Sequence, residues 1–219
     1  MRVLIAAAGT GGHINPGIAI ANKIKEEEPD SKILFIGTER GLEKDLVPRS
    51  GYELKTINAY GIRRSFTLEN IKRFFKTMHS VKEVEVIIDE FKPDVVIGTG
   101  GYVTVSVGKA AVKKKIPLFL HESNAFPGVA IKLLQKKATE IFVGFEDAKK
   151  RFFEFNRRFF ESFYFDIAPL LSIPEYQQRN SRYDKTDDAG YKQISICEYE
   201  YIANLFICNV EEDLYKFNK

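Results

Sequence analysis

Val3-Leu4-Ile5-Ala6-Ala7-Ala8-Gly9-Thr10-Gly11-Gly12-His13-Ile14-Asn15-Pro16 is the stretch on which the reading of this chain turns. Val3–Ala7 is apolar without alternation, as in a parallel strand covered on both faces. Gly9, Gly11 and Gly12 then let the backbone turn sharply and come close to a ligand. Pro16 suits the first turn of a helix, where its missing N–H leaves no partner unpaired, so a helix is predicted over Pro16–Glu28. Amides at a helix start point at an anion with the helix dipole behind them. Strand, glycine turn and helix in this order therefore suggest a phosphate-binding unit. A plain tight turn would use the same residues, and a lone glycine-rich loop does not specify a ligand.

The same rhythm continues to about residue 150. Ile33–Ile36, Leu54–Ile57, Val95–Ile97, Leu118–Leu120 and Ile141–Val143 read as further buried strands, with helices predicted over Gly41–Ser50, Leu68–Glu90, Thr104–Lys114 and Val129–Lys137. Such repetition predicts an α/β fold, a doubly wound parallel sheet of Rossmann-like type, with ligands at the carboxyl ends of the strands. Beyond residue 150 the composition changes. Fourteen glycines precede that point and only Gly190 follows it. Phe and Tyr become dense, as in Arg151-Phe152-Phe153-Glu154-Phe155. Gln177–Gly190 reads as a loop and Tyr201–Phe217 as a candidate helix. Two units are expected: a Rossmann-like domain over 1–152 and an atypical tail over 153–219, too short and glycine-poor to be a second such domain.

Residues 1–150 carry 24 Lys and Arg against 18 Asp and Glu, and residues 151–219 carry 9 against 12. The basic balance of the first part suits phosphate ligands or an anionic lipid surface, and equally plain solubility. No run of about 18 apolar residues occurs, so no membrane-spanning helix is expected. The apolar start is too short for a signal peptide and lacks a cleavage pattern, which predicts a cytoplasmic protein. Cys197 and Cys208 form no CxxC and read as reduced thiols. Three histidines and no His/Cys cluster argue against a zinc site.

Three further stretches carry chemistry. Gly98-Thr99-Gly100-Gly101-Tyr102 repeats the glycine turn after the fourth strand, and the two loops suggest two sides of a cleft around a diphosphate. His121-Glu122-Ser123-Asn124 follows the fifth strand and gathers an imidazole, a carboxylate and an amide able to bind hydroxyls or move protons. His121 alone also suits a structural role, and Asn124 a cap or turn. Between Gly61 and Val81, Leu68, Ile71, Phe75 and Met78 recur at helical spacing among Arg63, Arg64, Lys72, Arg73 and Lys76. That pattern fits a basic amphipathic helix lying on an anionic membrane, or a core-facing helix with a solvated rim. Nucleic acid is not expected, since no nucleic-acid-binding module is present.

Together, AAGTGGHINPGIAIA (7–21), GTGGYVTVSVGKAA (98–111) and HESNAFPGVA (121–130) resemble the MurG family of GlcNAc transferases in content, order and spacing. The resemblance covers about 150 residues, the N-terminal half of a two-domain GT-B enzyme. It implies transfer of GlcNAc from UDP-GlcNAc to the C4 hydroxyl of MurNAc in lipid I, with inversion, no metal and no cofactor. It implies catalytic roles for His13, as general base or acceptor-positioning group, and Glu122, supporting the acceptor or its neighbours. Thr10, Gly11, Gly12 and Asn124 match family positions for the sugar nucleotide, and the loops with Gly100, Gly101 and Tyr102 would hold the lipid diphosphate. Arg63, Arg64, Leu68, Ile71, Lys72 and Phe75 match the region by which the family sits peripherally on the cytoplasmic face of the cell membrane. The family continues into a donor-binding domain, and neither its TGNPVR-like opening nor its later glycine loop occurs here. Residues from 153 onward are therefore expected to be foreign to the family, as after a shift of reading frame or a mispredicted gene end.

Three other readings compete. A nicotinamide-dependent oxidoreductase would use Glu39 on the ribose, but residues 9–14 do not fit GxGxxG because position 14 is Ile. A fragment binding lipid diphosphate or membrane without turnover follows from the absent donor domain. Another GT-B glycosyltransferase would share the glycine loops more than the His-Glu-Ser-Asn stretch.

Overall fold

The computed structural model describes residues 1–60, 68–145, 147, 148 and 151, with the backbone alone over 68–78. Six strands, β1 (Arg2–Ala7), β2 (Lys32–Gly37), β3 (Glu53–Thr56), β4 (Val95–Gly100), β5 (Leu118–Glu122) and β6 (Glu140–Val143), alternate with five helices: α1 (Gly11–Glu27), α2 (Glu43–Arg49), α3 (Leu68–Phe91), α4 (Val103–Lys113) and α5 (Val129–Leu134). The strands form one parallel sheet in the order β3-β2-β1-β4-β5-β6. Strand order reverses between β1 and β4, and in open α/β sheets the ligand crevice lies at such a reversal, beyond the carboxyl ends of the strands.

Alternate residues of a strand face opposite sides of the sheet, and here each side has its own core. Val3, Ile5 and Ala7 of β1 pack with Phe35, Ile97 and Phe119 beneath Ile14, Ile20 and Ile24 of α1 and Val47 of α2. Leu4 and Ala6 pack on the other side with Leu34, Val96 and Leu120 against Val84 and Ile88 of α3, Val107 and Ala111 of α4, and Ile131 and Leu134 of α5. Glycines bring the helices down onto the strands. At Gly17 a methyl would lie 3.3 Å from Ala7, Ile5 and Phe35, and at Gly98 it would meet Thr104 Cγ2 at 2.5 Å.

All six expected strands are present. The first helix departs from expectation: it begins at Gly11 with Thr10 as its N-cap, so Pro16 is its sixth residue and not part of its first turn. Proline there removes the bond to the carbonyl four residues back and crowds that oxygen. The freed Gly12 carbonyl is taken instead by the Ser123 hydroxyl at 3.1 Å, so the β5–α5 loop supplies what the proline removes. Helix α5 stops at Leu134, and hydrogen-bonded turns carry the chain on, with Lys137 and Ala138 N–H both donating to the Leu134 carbonyl.

Among the described residues no helix is long and apolar enough to cross a membrane. Arg63, Arg64, the tail 153–219 with Cys197 and Cys208, and the side chains of Leu68, Ile71, Lys72 and Phe75 lie outside the described residues.

Phe35 has no exposed surface and its ring centroid stands 5.4 Å from that of Tyr52. Phe35→Ala is expected to lower stability by about 3–5 kcal/mol, read from the urea midpoint of the full chain. A loss under about 1 kcal/mol would contradict this packing.

Candidate functional site

The carboxyl ends of β1, β4 and β5 place the three motifs side by side. After β1 the chain turns at Gly9, whose φ is +97°, and enters α1. A threonine N-cap usually spends its hydroxyl on an amide of the first turn, but the Thr10 side chain makes no such bond. The Thr10 carbonyl accepts from His13 N–H (3.0 Å) and Ile14 N–H (3.1 Å). The Gly9 N–H is also engaged, donating to Glu43 Oε2 at 2.9 Å. Among the described residues, Gly11 and Gly12 N–H are left without an acceptor at the positive end of a 17-residue helix. This is the arrangement that binds a phosphate oxygen.

The second loop lies against the first. Gly100 (φ +116°) and Gly101 (φ +78°) occupy backbone regions that side chains rarely enter. A methyl at Gly101 would strike the Ala8 carbonyl oxygen, and one at Gly100 would strike the His13 ring. The two loops thus touch across the strand reversal, rather than standing apart as two walls. Thr99 bridges them, its hydroxyl donating to the His13 carbonyl at 2.7 Å. The Tyr102 hydroxyl, 3.2 Å from Thr38 Oγ1, is engaged with β2.

Glu122 is 3% exposed. Its Oε1 accepts from Asn124 N–H (2.9 Å) and Asn124 Nδ2 (2.8 Å), and its Oε2 from Gly128 N–H (2.7 Å). The carboxylate therefore shapes the 123–128 loop. Asn124 forms a turn onto Glu122 and does not cap α5, whose N-cap is Gly128.

The two histidines are held neutral. Burial pushes the His13 imidazole below its ordinary value, against the opposing pull of the Glu122 charge and the Thr99 backbone. Among the described residues its Nδ1 is buried with no partner. His121 is 1% exposed, both its ring nitrogens lack partners among the described residues, and burial, followed by the proximity of His13, lowers its pKa to about 4. A neutral imidazole near pH 7 can accept a proton. Among the described residues no group of three or more His, Cys, Asp or Glu could hold a metal ion.

The sequence reading passed over Glu43 and Thr38. The available signal was another glycine pair, Gly37 and Gly41, at the end of a third strand of the switch region, with a carboxylate close behind. Glu39 at that strand end takes the Thr56 hydroxyl at 2.6 Å.

Residues 3–143 match the glycosyltransferase family 28 N-terminal domain. The chain belongs to this family. The chain is 49% identical over 152 residues to the UDP-N-acetylglucosamine--N-acetylmuramyl-(pentapeptide) pyrophosphoryl-undecaprenol N-acetylglucosamine transferase of Clostridioides difficile strain 630, covering 69% of this chain and 37% of that one. It is 50% identical over 152 residues to the protein of the same name from Thermoanaerobacter sp. strain X514, covering 69% and 42%. Among solved structures, MurG of Acinetobacter baumannii superposes with a TM-score of 0.59 at 28% identity, covering 67% of this chain and 42% of that one. The UDP-GlcNAc 2-epimerase of Methanocaldococcus jannaschii, at 19% identity and TM-score 0.51 over 70% of this chain and 42% of that one, shares the fold. The chain thus spans about two fifths of the length of the curated relatives it matches.

In the unfolded family 28 domain His121 titrates near 6.5, and in the fold near 4. Between those values the unfolded chain holds more protons, so this group's contribution to stability is complete above about pH 6.5 and is lost as pH falls toward 4. Its size is on the order of 3 kcal/mol. His121→Leu is expected to reduce the stability difference between pH 7.5 and pH 4.5 by roughly that amount, measured by urea denaturation of both proteins. An unchanged difference would mean that His121 titrates normally.

Proposed function

We propose that residues 1–152 are the acceptor-binding half of an inverting transferase that moves GlcNAc from UDP-GlcNAc to lipid I. The observation that carries this reading is the pair of unengaged Gly11 and Gly12 amides beside a neutral His13, in a chain 49% and 50% identical over 152 residues to proteins named for that transfer. The amides and the α1 dipole suit one phosphate of a diphosphate. The acceptor C4 hydroxyl attacks the anomeric carbon, the bond from that carbon to the donor phosphate breaks, and UDP leaves with the electron pair. His13 takes the hydroxyl proton, as a neutral imidazole can. Glu122 acts by fixing the 123–128 loop, which presents Asn124 toward the sugar nucleotide. Gly100 and Gly101 set the contact between the loops and Tyr102 braces it.

Arg63, Arg64 and Lys72, with Leu68, Ile71 and Phe75, would lay the domain on anionic lipid at the cytoplasmic face of the cell membrane, and nucleic acid is not a partner. Residues 153–219 are read as not forming a donor-binding domain. An inverting transfer needs the leaving UDP held and its charge stabilised, and the unengaged amides suit one phosphate, so a second reading is acceptor binding by these residues without turnover.

The full chain is expected to bind a short-chain lipid I analogue in calorimetry and to transfer no labelled GlcNAc to it. Absence of binding would sink the acceptor-half reading. Transfer that disappears in His13→Ala would show that residues 153–219 complete a donor site. Vesicles containing anionic lipid should sediment the chain, and the triple substitution Arg63→Glu, Arg64→Glu, Lys72→Glu should abolish this. Equal sedimentation with zwitterionic vesicles would rule out the electrostatic contact.

A further inference from the structure

We propose that Glu43 is a positioning residue of the glycine-loop site, a buried carboxylate that fixes the first loop and ties it to the second without touching the ligand; the inference rests on reading Gly11 and Gly12 as a phosphate site. Glu43 opens α2 and has no exposed surface. Among the described residues it pairs with no cation. A buried carboxylate is costly unless its oxygens are fully hydrogen-bonded. Here Oε1 accepts from Thr38 N–H (2.9 Å) and the Thr38 hydroxyl (2.8 Å), and Oε2 accepts from Gly9 N–H (2.9 Å). Its slot exists because two neighbours lack side chains: a methyl on Gly37 or Gly41 would collide with Glu43 itself.

The Thr38 hydroxyl donates to Glu43, so at its 3.2 Å contact with Tyr102 the tyrosine hydroxyl is the donor. Tyr102, Thr38, Glu43 and Gly9 therefore form one chain of hydrogen bonds from the second glycine loop, through the end of β2, to the first. Gly9 has a positive φ and would be free to swing without a fixed partner. With its N–H held by the carboxylate, the turn that follows is set, and among the described residues Gly11 and Gly12 N–H remain available. The same bond removes Gly9 from the list of phosphate donors, although the glycine pattern alone would include it.

The substitution Glu43→Gln keeps size and shape but turns one acceptor oxygen into an amide donor facing N–H and O–H donors. In the full chain it is expected to weaken binding of the short-chain lipid I analogue at least tenfold, with the urea midpoint moved far less than by Phe35→Ala. The Gly9 amide proton, shifted downfield by its carboxylate acceptor, should move upfield in the ¹⁵N-correlated spectrum, and exchange at Gly9, Gly11 and Gly12 should quicken while Ile5 and Ile36 stay protected. Unchanged binding would overturn the inference and leave the acceptor reading standing. If the unsubstituted chain binds no analogue, the acceptor reading fails, and the amides decide the inference separately: altered Gly9–Gly12 exchange upholds the positioning role, and unaltered exchange overturns it. Should Glu43→Gln not fold, Tyr102→Phe removes one hydroxyl from the same chain. A loss of about threefold in binding is expected, and binding together with a Gly9 resonance that both stay unchanged would overturn the proposal.

Discussion

The carboxyl ends of β1 and β4 are neighbours, and their two loops must cross the same small space. That constraint governs the rest of the site. Parallel strands stand about 4.8 Å apart, which leaves no room for side chains between the loops that leave them. Gly101 runs over the Ala8 carbonyl, Gly100 over the His13 ring, and both hold positive φ. The strand reversal that opens a crevice for ligands in a doubly wound sheet is here lined mostly by backbone, and backbone amides recognise phosphate.

What remains is a matter of which amides are spent. The carboxylates at this end of the sheet, Glu43 and Glu122, are both buried, and both hold loops through N–H groups. Each uses its charge on fixed dipoles, since a charge-assisted bond of this kind is roughly twice as strong as a neutral one. The Ser123 hydroxyl does the same for the one carbonyl that Pro16 strands. The result is a turn in which few donors can move, with Gly11 and Gly12 as the exceptions. His13 sits in the same turn with its ring against Gly100. Burial keeps the imidazole neutral while the Glu122 charge moderates that effect. Together these place a proton acceptor and an anion site within one helical turn.

Much of this was legible in residue order. Continuous apolar runs such as Val3–Ala7 and Leu118–Leu120 announce strands buried on both faces, because a sheet with one wet face would alternate. The first two motif stretches stand out by their glycine clusters at strand ends and the third by its imidazole, carboxylate and amide together. Less legible was anything set by a contact across the chain. Pro16 looked like a helix start because position in sequence cannot reveal that Ser123, 107 residues later, would satisfy the stranded Gly12 carbonyl. Glu43 drew no reading because a single Glu among charged residues carries no pattern; its burial depends on the 37–41 loop meeting Gly9 of the first glycine turn. For Glu122, residue order suggested support of the acceptor or of its neighbours, and only the fold shows that its three donors come from its own loop.

Under the proposed function the reaction divides into two physical requirements. An acceptor hydroxyl gains nucleophilicity from a nearby base, but an inverting displacement also needs the departing diphosphate stabilised on the opposite face of the sugar. The donors described above all come from one domain. Ordering an acceptor can supply proximity and orientation, whereas the charge that develops on a leaving group needs donors of its own. The loops, the clamp on Gly9 and the neutral His13 are all built from residues of this one domain, so under the proposed function they order the acceptor and take its proton, and stabilising the departing charge is a separate requirement.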